Sequence, residues 1–472
     1  MKLESLTSKN KTQGSVCAGG TDVSYEACFE VADFAGGAQV TAVSYVAATV
    51  GGDAACAGRP VLFVTNGGPG SSVAWLHLGL FGPRRVQMED PLRPPTQPPF
   101  SLEDNPHCPL DVCDVVVVDP AGTGLSAQPD ELSAAEFFSV DGDALSIALF
   151  IQAWVDEHGR GNSPVYFAGE SYGTVRACAL LDALSGGPFS IGAKQVAFSL
   201  AGVAFLGTAF TTAATATGEP PVEKCALQLA SCAATYAYHH PEAKVAPRKA
   251  FEAAWDATPE YLGLLFSGRA ADDKAKRSWA SRLSGMTGIP KDALMASSLR
   301  FSMDQFRGGV VAGSCAGAYD GRYLMEGAGK SGNFPFPGMV DPVAEDPAMG
   351  YYSPAFVGGM RLLREELGLP AGEYVPIDFA VNARWDYSSR HTPLNALENA
   401  MRRNPSMRVL FASGMFDLVC VPGAVRYLVQ QSTLPAERTR VVEYESGHMP
   451  YLGEASARQV AADIRDLVQP NR

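Results

Sequence analysis

The amino-acid sequence predicts an α/β protein with a mostly parallel central sheet. Three short segments, residues 61–65, 115–119 and 165–168, are apolar at nearly every position. Strands of this kind are buried on both faces, as in a parallel sheet covered by helices. Residues 147–155 carry apolar side chains at the spacing of one helix face. Strands and helices therefore alternate, as expected for parallel strands joined by helices.

The N-terminal part of the chain has a different pattern. Residues 1–20 are polar, with Gly and Ser, and are interpreted as a loose tail. From residue 23 to 50, Val, Tyr, Phe and Thr recur in short runs broken by Gly pairs at 36–37 and 51–52. This pattern predicts antiparallel strands that lead into the sheet.

A sharp turn follows the apolar run at 165–168. Residues 169–173 read Gly-Glu-Ser-Tyr-Gly, and residues 174–184 have a helical pattern. A strand, a turn of this composition and a helix make the context of a nucleophile elbow, in which glycines on either side leave room for a strained serine. Ser171 is therefore the candidate nucleophile.

The C-terminal part offers the partners that a nucleophilic serine needs. One apolar run is followed by Asp417, a second is followed by His448, and residues 422–431 between them form a helical segment. The order Ser, then acid, then His is that of the α/β-hydrolase fold, with its mostly parallel central sheet and helices on both faces. Asp111 and Asp119 are the alternative acids.

A glycine-rich loop follows the strand at 61–65. Residues 66–72 read Asn-Gly-Gly-Pro-Gly-Ser-Ser. Such a loop exposes backbone N–H groups and suits an oxyanion hole, which the N–H of Tyr172, next to the nucleophile, would complete. Taken alone, the segment is better explained as a tight surface loop, but the neighbouring elbow reverses this preference and favours the oxyanion hole.

The alternation of strands and helices stops between residues 207 and 375. Helical segments at 221–238 and 248–265 are followed by Gly- and Pro-rich loops. An insertion between the serine half and the Asp/His half predicts a mainly helical cap over the active site. The expected organisation is a tail at 1–20, the first part of the α/β-hydrolase core at 21–206, the cap at 207–375 and the second part of the core at 376–472.

Charge and hydropathy restrict the partners. The chain has 37 basic and 50 acidic residues, a formal net charge of −13, which argues against nucleic acid or an anionic membrane. The most apolar stretch, residues 196–210, is too short and Gly-rich for a membrane span. No apolar signal segment is visible at the N-terminus, so a cytoplasmic location is expected, although a trimmed secreted or periplasmic protein would look the same.

The ten cysteines are expected to be free thiols in that compartment. The Cys108/Cys113 and Cys225/Cys232 pairs lack the CxxC spacing of a zinc site, and residues 122–124 lack the pattern of a phosphate-binding loop. The sequence therefore predicts no metal and no cofactor.

Several of these motifs together resemble the serine carboxypeptidases, particularly their bacterial branch. Ordered motifs that span about residues 60–455 are more specific than any single one. The matching segments are 66–72, 75–85, 119–126, the elbow with Arg176, 414–417 and the Gly-His-Met of 447–449.

The resemblance implies a catalytic triad of Ser171 as nucleophile, His448 as general base and Asp417 as the orienting acid. It also implies an oxyanion hole formed by the Gly68 and Tyr172 amides. The implied substrate-binding residues are Asn66, Gly67 and Glu170, with Asn66 and Glu170 holding the C-terminal carboxylate of a peptide.

The implied activity is that of a serine-type carboxypeptidase, which releases C-terminal amino acids from peptides through an acyl-enzyme intermediate. Glu170 would share a proton with the substrate carboxylate, which favours activity at acidic pH. A peptide substrate is expected, and a homo-oligomer is compatible with the sequence. A catalytically inactive binding protein is disfavoured because all three triad positions are intact.

One departure from the family keeps an alternative open. Family members have a second glutamate where this chain has Leu80, and the glycine loop is one residue shorter than in the common eukaryotic form. Arg84, Arg85 or Arg176 would then be candidates to bind the substrate carboxylate. The alternative function is an esterase or acyltransferase on the same triad, since the fold does not determine the leaving group or acceptor.

Overall fold

The structure is a computed structural model, and it describes residues 1–48, 58–184, 198–210, 221–326, 346–389 and 392–469. Parts of two expected features lie outside these residues: the strand region beyond residue 48, and the Gly- and Pro-rich loops of residues 327–345. No helix in the described part of the chain is both long and apolar enough to cross a lipid bilayer.

Nine of the described strands form one sheet, in the order β1-β2-β3-β7-β4-β8-β9-β12-β13. The strands are β1 (Leu3–Ala18), β2 (Thr21–Phe34), β3 (Gln39–Ala47), β4 (Val61–Thr65), β5 (Arg84–Val86), β6 (Leu102–Asp104), β7 (Asp114–Asp119), β8 (Val165–Glu170), β9 (Leu200–Leu206), β10 (Ser314–Ala316), β11 (Leu324–Glu326), β12 (Arg408–Gly414) and β13 (Thr439–Tyr444). Strands β1, β2, β3 and β7 pair antiparallel in turn, and every pairing from β7 to β13 is parallel. The expected mostly parallel sheet of an α/β-hydrolase is confirmed.

The helices lie on both faces of this sheet and in the long insertion. They are α1 (Ala74–Leu76), α2 (Ala134–Phe137), α3 (Val140–Glu157), α4 (Tyr172–Leu184), α5 (Val222–Leu227), α6 (Leu229–His239), α7 (Pro247–Ser267), α8 (Asp273–Thr287), α9 (Lys291–Ala296), α10 (Met303–Arg307), α11 (Pro347–Glu366), α12 (Phe379–Ala383), α13 (Pro393–Arg403), α14 (Pro422–Gln430) and α15 (Glu454–Val468).

The apolar strands are buried on both sides because alternate side chains enter two different cores. In β4, Val61 and Phe63 join the core that contains Trp154 of α3, whereas Leu62 and Val64 join the core on the opposite face. Successive side chains of a strand point to opposite faces, so a central strand needs apolar residues at every position.

The N-terminal segment corrects one expectation. Residues 1–20 are not a loose tail, because β1 pairs with β2 along a long antiparallel hairpin. Its side chains are polar because it is the edge strand and most of them are exposed. Gly19 and Gly20 both have positive φ and form the two-residue turn that joins Ala18 to Thr21, a local hairpin signal that the composition obscured.

The described part of the insertion is mainly helical, as expected. Helices α5 to α9 surround a core of their own, which also includes Met415, Phe416 and Leu418 from the segment after β12. The insertion therefore packs directly on the loop that carries Asp417. The limits of the cap as a separate domain remain a prediction.

Candidate active site

The turn between β8 and α4 consists of Ser171. Its φ is 57°, a left-handed conformation that is unfavourable for a residue with a side chain. Two contacts hold it: the Ser171 amide donates to the Leu206 carbonyl at 2.9 Å, and the Ser171 carbonyl accepts from Thr174 Oγ1 at 2.7 Å. Strain held in this way is characteristic of a nucleophile elbow.

Glycines allow the glycine loop to lie directly against this turn. A Cβ at Gly67 would lie 2.4 Å from the Tyr172 nitrogen, and one at Gly169 would lie 2.1 Å from the Gly173 carbonyl oxygen. Any larger residue would collide with backbone atoms at either position. The spacing of glycines around Ser171 therefore has a steric cause.

The two amides assigned to the oxyanion hole lie on the two sides of this contact. Gly68 has a φ of 101°, and Tyr172 is the first residue of α4, where a backbone N–H has no partner within the helix. Within the described residues, neither amide donates a hydrogen bond to another protein group. Both N–H groups are therefore available to an oxyanion, and their role remains a prediction.

A buried arginine supports the glycine loop. Arg176 is 1% exposed, and its Nε donates to Asp143 Oδ2 at 2.6 Å. Its Nη1 donates to the Asn66 carbonyl and to Thr65 Oγ1. Arg176 thus ties the loop that follows β4 to helix α3.

The carboxylate and the imidazole of the predicted triad form a buried pair. His448 Nδ1 lies 2.7 Å from Asp417 Oδ2, as the sequence predicted. The other carboxylate oxygen, Oδ1, accepts from the amides of Val419 and Cys420, each at 2.8 Å. These amides fix the carboxylate, and the carboxylate in turn fixes the ring.

The environment of His448 sets its protonation. Burial lowers the pKa of His448, but the charge of Asp417 and their hydrogen bond outweigh it and raise the pKa well above the ordinary value. Nε2 has no hydrogen-bond partner within the described residues, so no hydrogen bond joins it to the Ser171 hydroxyl in this structure. Such bonds are often long without substrate. A Cβ at Gly207, the residue after the Leu206 acceptor of Ser171, would lie 3.0 Å from His448 Cε1.

The two alternative acids have other partners. Asp119 Oδ1 accepts from the Val73 amide at 2.7 Å and so braces the end of the glycine loop, while burial raises its pKa to about 6. Asp111 accepts from Arg465, with Nε at 2.9 Å from Oδ2. Of the three candidate carboxylates, Asp417 is therefore the one that contacts His448.

The residue before the nucleophile is a buried acid. Glu170 is 3% exposed, and its Oε1 accepts from Asn66 Nδ2 at 2.7 Å. The side-chain oxygen of Asn66, Oδ1, accepts in turn from the Leu76 amide at 3.1 Å, which fixes the orientation of the side-chain amide. Burial raises the pKa of Glu170 to about 7, against the opposing effect of His448. At and below neutral pH a large fraction of Glu170 is therefore a neutral acid.

The three arginines considered for carboxylate binding are engaged elsewhere. Arg84 Nη1 donates to Asp104 at 2.5 Å, and Arg85 Nε donates to Glu103 at 2.7 Å. Arg176 is occupied by the contacts described above. These ion pairs make a structural role the better explanation for all three.

A cysteine completes the surroundings of the imidazole. Cys420, Asp417 and His448 place one potential metal-ligating atom each within 4.8 Å of one another. The imidazole Nδ1 and both carboxylate oxygens are already used in the hydrogen bonds described above. These hydrogen bonds already explain why the carboxylate and the imidazole lie close together.

Some contributors to the site were not found from the sequence. Gly207 follows a buried strand, and its position at the carboxyl end of the sheet was an available signal. Tyr319, whose carbonyl accepts from the His448 amide at 2.6 Å, lies in the insertion. No local pattern marks a residue whose contribution is a backbone carbonyl.

The comparisons with known proteins agree with this geometry. The family model described as serine carboxypeptidase matches residues 52–217, the part that carries the glycine loop and the elbow. The structure of Kex1, a prohormone-processing carboxypeptidase from Saccharomyces cerevisiae, is 15% identical, with 92% of this chain and 86% of that chain covered and a TM-score of 0.52. A soluble variant of monoglyceride lipase from the same yeast is 10% identical, with coverages of 93% and 94% and a TM-score of 0.37.

No curated protein matches the sequence. The likeness to Kex1 shows a shared fold, and the likeness to the lipase is too low to support an argument. The resemblance to the serine carboxypeptidases is confirmed by the family match, whereas the bacterial branch remains a prediction.

Proposed function

We propose that this chain, a serine hydrolase that matches the serine carboxypeptidase family over residues 52–217, is a carboxypeptidase that releases C-terminal amino acids from peptides. Ser171 would attack the last peptide carbonyl while His448 Nε2 accepts the hydroxyl proton. Asp417 would hold the imidazole in the required tautomer and stabilise its charged form, and the Gly68 and Tyr172 amides would bind the oxyanion.

The second half of the reaction would repeat the first with water. His448 would give its proton to the nitrogen of the departing amino acid, leaving an ester between Ser171 and the shortened peptide. Water, activated by the same imidazole, would attack that ester, and the proton would return to Ser171.

The observation that carries the choice of exopeptidase is the Asn66–Glu170 pair beside Ser171. A C-terminal carboxylate adds a negative charge to the site, which a second ionised carboxylate would repel. Because burial raises the pKa of Glu170 to about 7, the protein can present a neutral acid that donates a hydrogen bond to that carboxylate. The Asn66 amide supports this acid and adds a second donor.

The competing function is an esterase or acyltransferase on the same triad. It is favoured by the apolar residue Leu80, where the family has its second glutamate. A panel of N-blocked dipeptides, their amides and their ethyl esters, assayed over pH, separates the two. We expect the free-acid peptides to have the highest kcat/KM among the peptide-bond substrates. Ester hydrolysis without cleavage of free-acid peptides would establish the esterase.

The first prediction concerns the pH dependence of the preference for free acids. Titration of His448 affects all substrates alike, so it cancels in the ratio of kcat/KM for a free-acid peptide to kcat/KM for the matched ester. We expect this ratio to be high below the Glu170 pKa of about 7 and to fall above it, because Glu170 loses its proton. In Glu170→Gln the amide donates without titrating, so the ratio should become nearly independent of pH.

The control for this experiment is Asp119→Asn. Like Glu170, Asp119 is a buried carboxyl group with a raised pKa, but it accepts a hydrogen bond from the Val73 amide. This variant should keep the pH dependence of the ratio. Identical ratio profiles in the wild type and Glu170→Gln would show that Glu170 has only a structural role.

A further inference from the structure

The position that holds the second acid in the family cannot serve that purpose here. Leu80 is fully buried in the core cluster under the sheet, and its carbonyl accepts from Asn105 Nδ2 at 2.8 Å. The neighbouring Gly79 is in contact with an aromatic ring, because a Cβ there would lie 2.3 Å from Tyr451 Cε2. The ring of Tyr451 therefore lies against the segment from which the family presents its glutamate.

Tyr451 brings a hydroxyl to the same place. It lies three residues after His448 and is 2% exposed. Tyr451 lies beside Glu170, because a hydrogen bond from the phenol lowers the pKa of Glu170 and the neighbouring carboxyl raises the pKa of Tyr451. This contact is loose, since neither Tyr451 Oη nor Glu170 Oε2 makes a hydrogen bond of good geometry among the described residues.

Two buried polar atoms that are held only loosely against each other can both turn to a ligand, because a well-formed hydrogen bond to each would be favourable. A ligand that offers two acceptor oxygens would satisfy both. One oxygen would accept from the phenol, and the other would accept the proton that Glu170 carries at neutral pH and below. A carboxylate has this arrangement of acceptors.

We propose that Tyr451 is a specificity-determining residue, whose hydroxyl donates a hydrogen bond to the C-terminal carboxylate of the substrate. It takes over the donor function for which the family uses a second glutamate. This role rests on the proposed carboxypeptidase function. Unlike a glutamate, a phenol donates this bond at neutral pH without having to gain a proton, so only Glu170 titrates in recognition near neutral pH.

The test compares Tyr451→Phe with the wild type on N-blocked dipeptides and their ethyl esters. Phenylalanine keeps the ring against Gly79 and removes the hydroxyl. We expect KM for the free-acid peptides to rise about 10-fold with kcat within about 2-fold, and the ester parameters to stay within about 2-fold. A purely structural role would alter both substrate types equally.

Tyr352→Phe is the matched control. Tyr352 is another buried phenol whose titration is affected by Glu170, but its hydroxyl is already bonded to Met349 Sδ at 2.7 Å. We expect its ratio of free-acid to ester kcat/KM to equal that of the wild type. An equal loss of free-acid preference in both variants would overturn the assignment to Tyr451.

The pH profile gives a second, independent readout. The titratable groups that interact with Glu170 are His448, Asp417, Cys420, Tyr352 and Tyr451. Because the phenol lowers the pKa of Glu170, its removal should move the fall of the free-acid to ester ratio to higher pH.

The outcomes are distinguishable. A wild-type enzyme that hydrolyses esters but no free-acid peptides would overturn both the carboxypeptidase function and this role. A wild-type preference for free acids that Tyr451→Phe leaves unchanged, in KM and in pH profile, would overturn the role of Tyr451 alone.

Discussion

Replacement of Ser171 by alanine is expected to lower kcat by at least about 10³-fold and to abolish covalent labelling by a fluorophosphonate probe. The physical reason is that the remaining groups still bind substrate and stabilise the oxyanion, but no nucleophile is left to form the acyl-enzyme. Labelling is read by the mass increase of the intact protein, and the rate by release of the C-terminal amino acid.

Ser171→Gly is the companion variant. Glycine adopts a φ of 57° without strain, so Ser171→Gly should keep the turn and relieve its strain. Ser171→Ala keeps a Cβ and therefore keeps the strained backbone conformation. Both variants should lose labelling and activity alike, and thermal unfolding should show that both are folded. Labelling that survives in either variant would place the nucleophile elsewhere.

Asp417→Asn is the substitution with the second large expected effect, a fall in kcat/KM of about 10³–10⁴-fold. Asp417 Oδ1 accepts from two backbone amides, at 2.8 Å each, so the asparagine oxygen should occupy that position and its NH₂ group should face His448 Nδ1. Nδ1 would then have to accept a hydrogen bond from this NH₂ group, and the ring proton would move from Nδ1 to Nε2. An imidazole in that tautomer cannot take the proton of Ser171.

The control is Asp111→Asn, which removes a carboxylate that pairs with Arg465 outside the proposed triad. Its kcat/KM should stay within about 3-fold of the wild type, since partly exposed ion pairs contribute little. Because Asp417 raises the pKa of His448, the acid-side fall in the rate of Asp417→Asn should also move to lower pH than in the wild type. Equal rates for Asp417→Asn and the wild type would refute the orienting role.

The local parts of the fold and site followed from the sequence because their signals are local. Burial of β4 and β8 on both faces requires apolar residues at successive positions, and this pattern is visible in a few residues. The turn at Ser171 requires glycine at positions 169 and 173 for steric reasons, so the elbow was recognisable. Asp417 and His448 were found because each lies in the loop that follows a buried strand.

Contacts between distant segments were decided only by the tertiary structure. The edge strand β1 has mostly polar side chains, and it is held in place by backbone hydrogen bonds to β2. Such pairing cannot be inferred from amino-acid composition. Arg84 and Arg85 were candidate ligands until the structure placed carboxylates beside them, since the partner of a surface charge depends on which elements meet.

The same limit applies to the acid beside the nucleophile. The position of Glu170 next to Ser171 was evident from the sequence, but its raised pKa depends on burial that many elements create together. Tyr451 is far from Glu170 along the chain, and the two side chains come together only in the folded protein. The sequence by itself identified the candidate catalytic residues of the elbow, because the turn and its glycines form a local pattern. The tertiary structure decided their protonation and their polar neighbours, because electrostatics depends on distance in space.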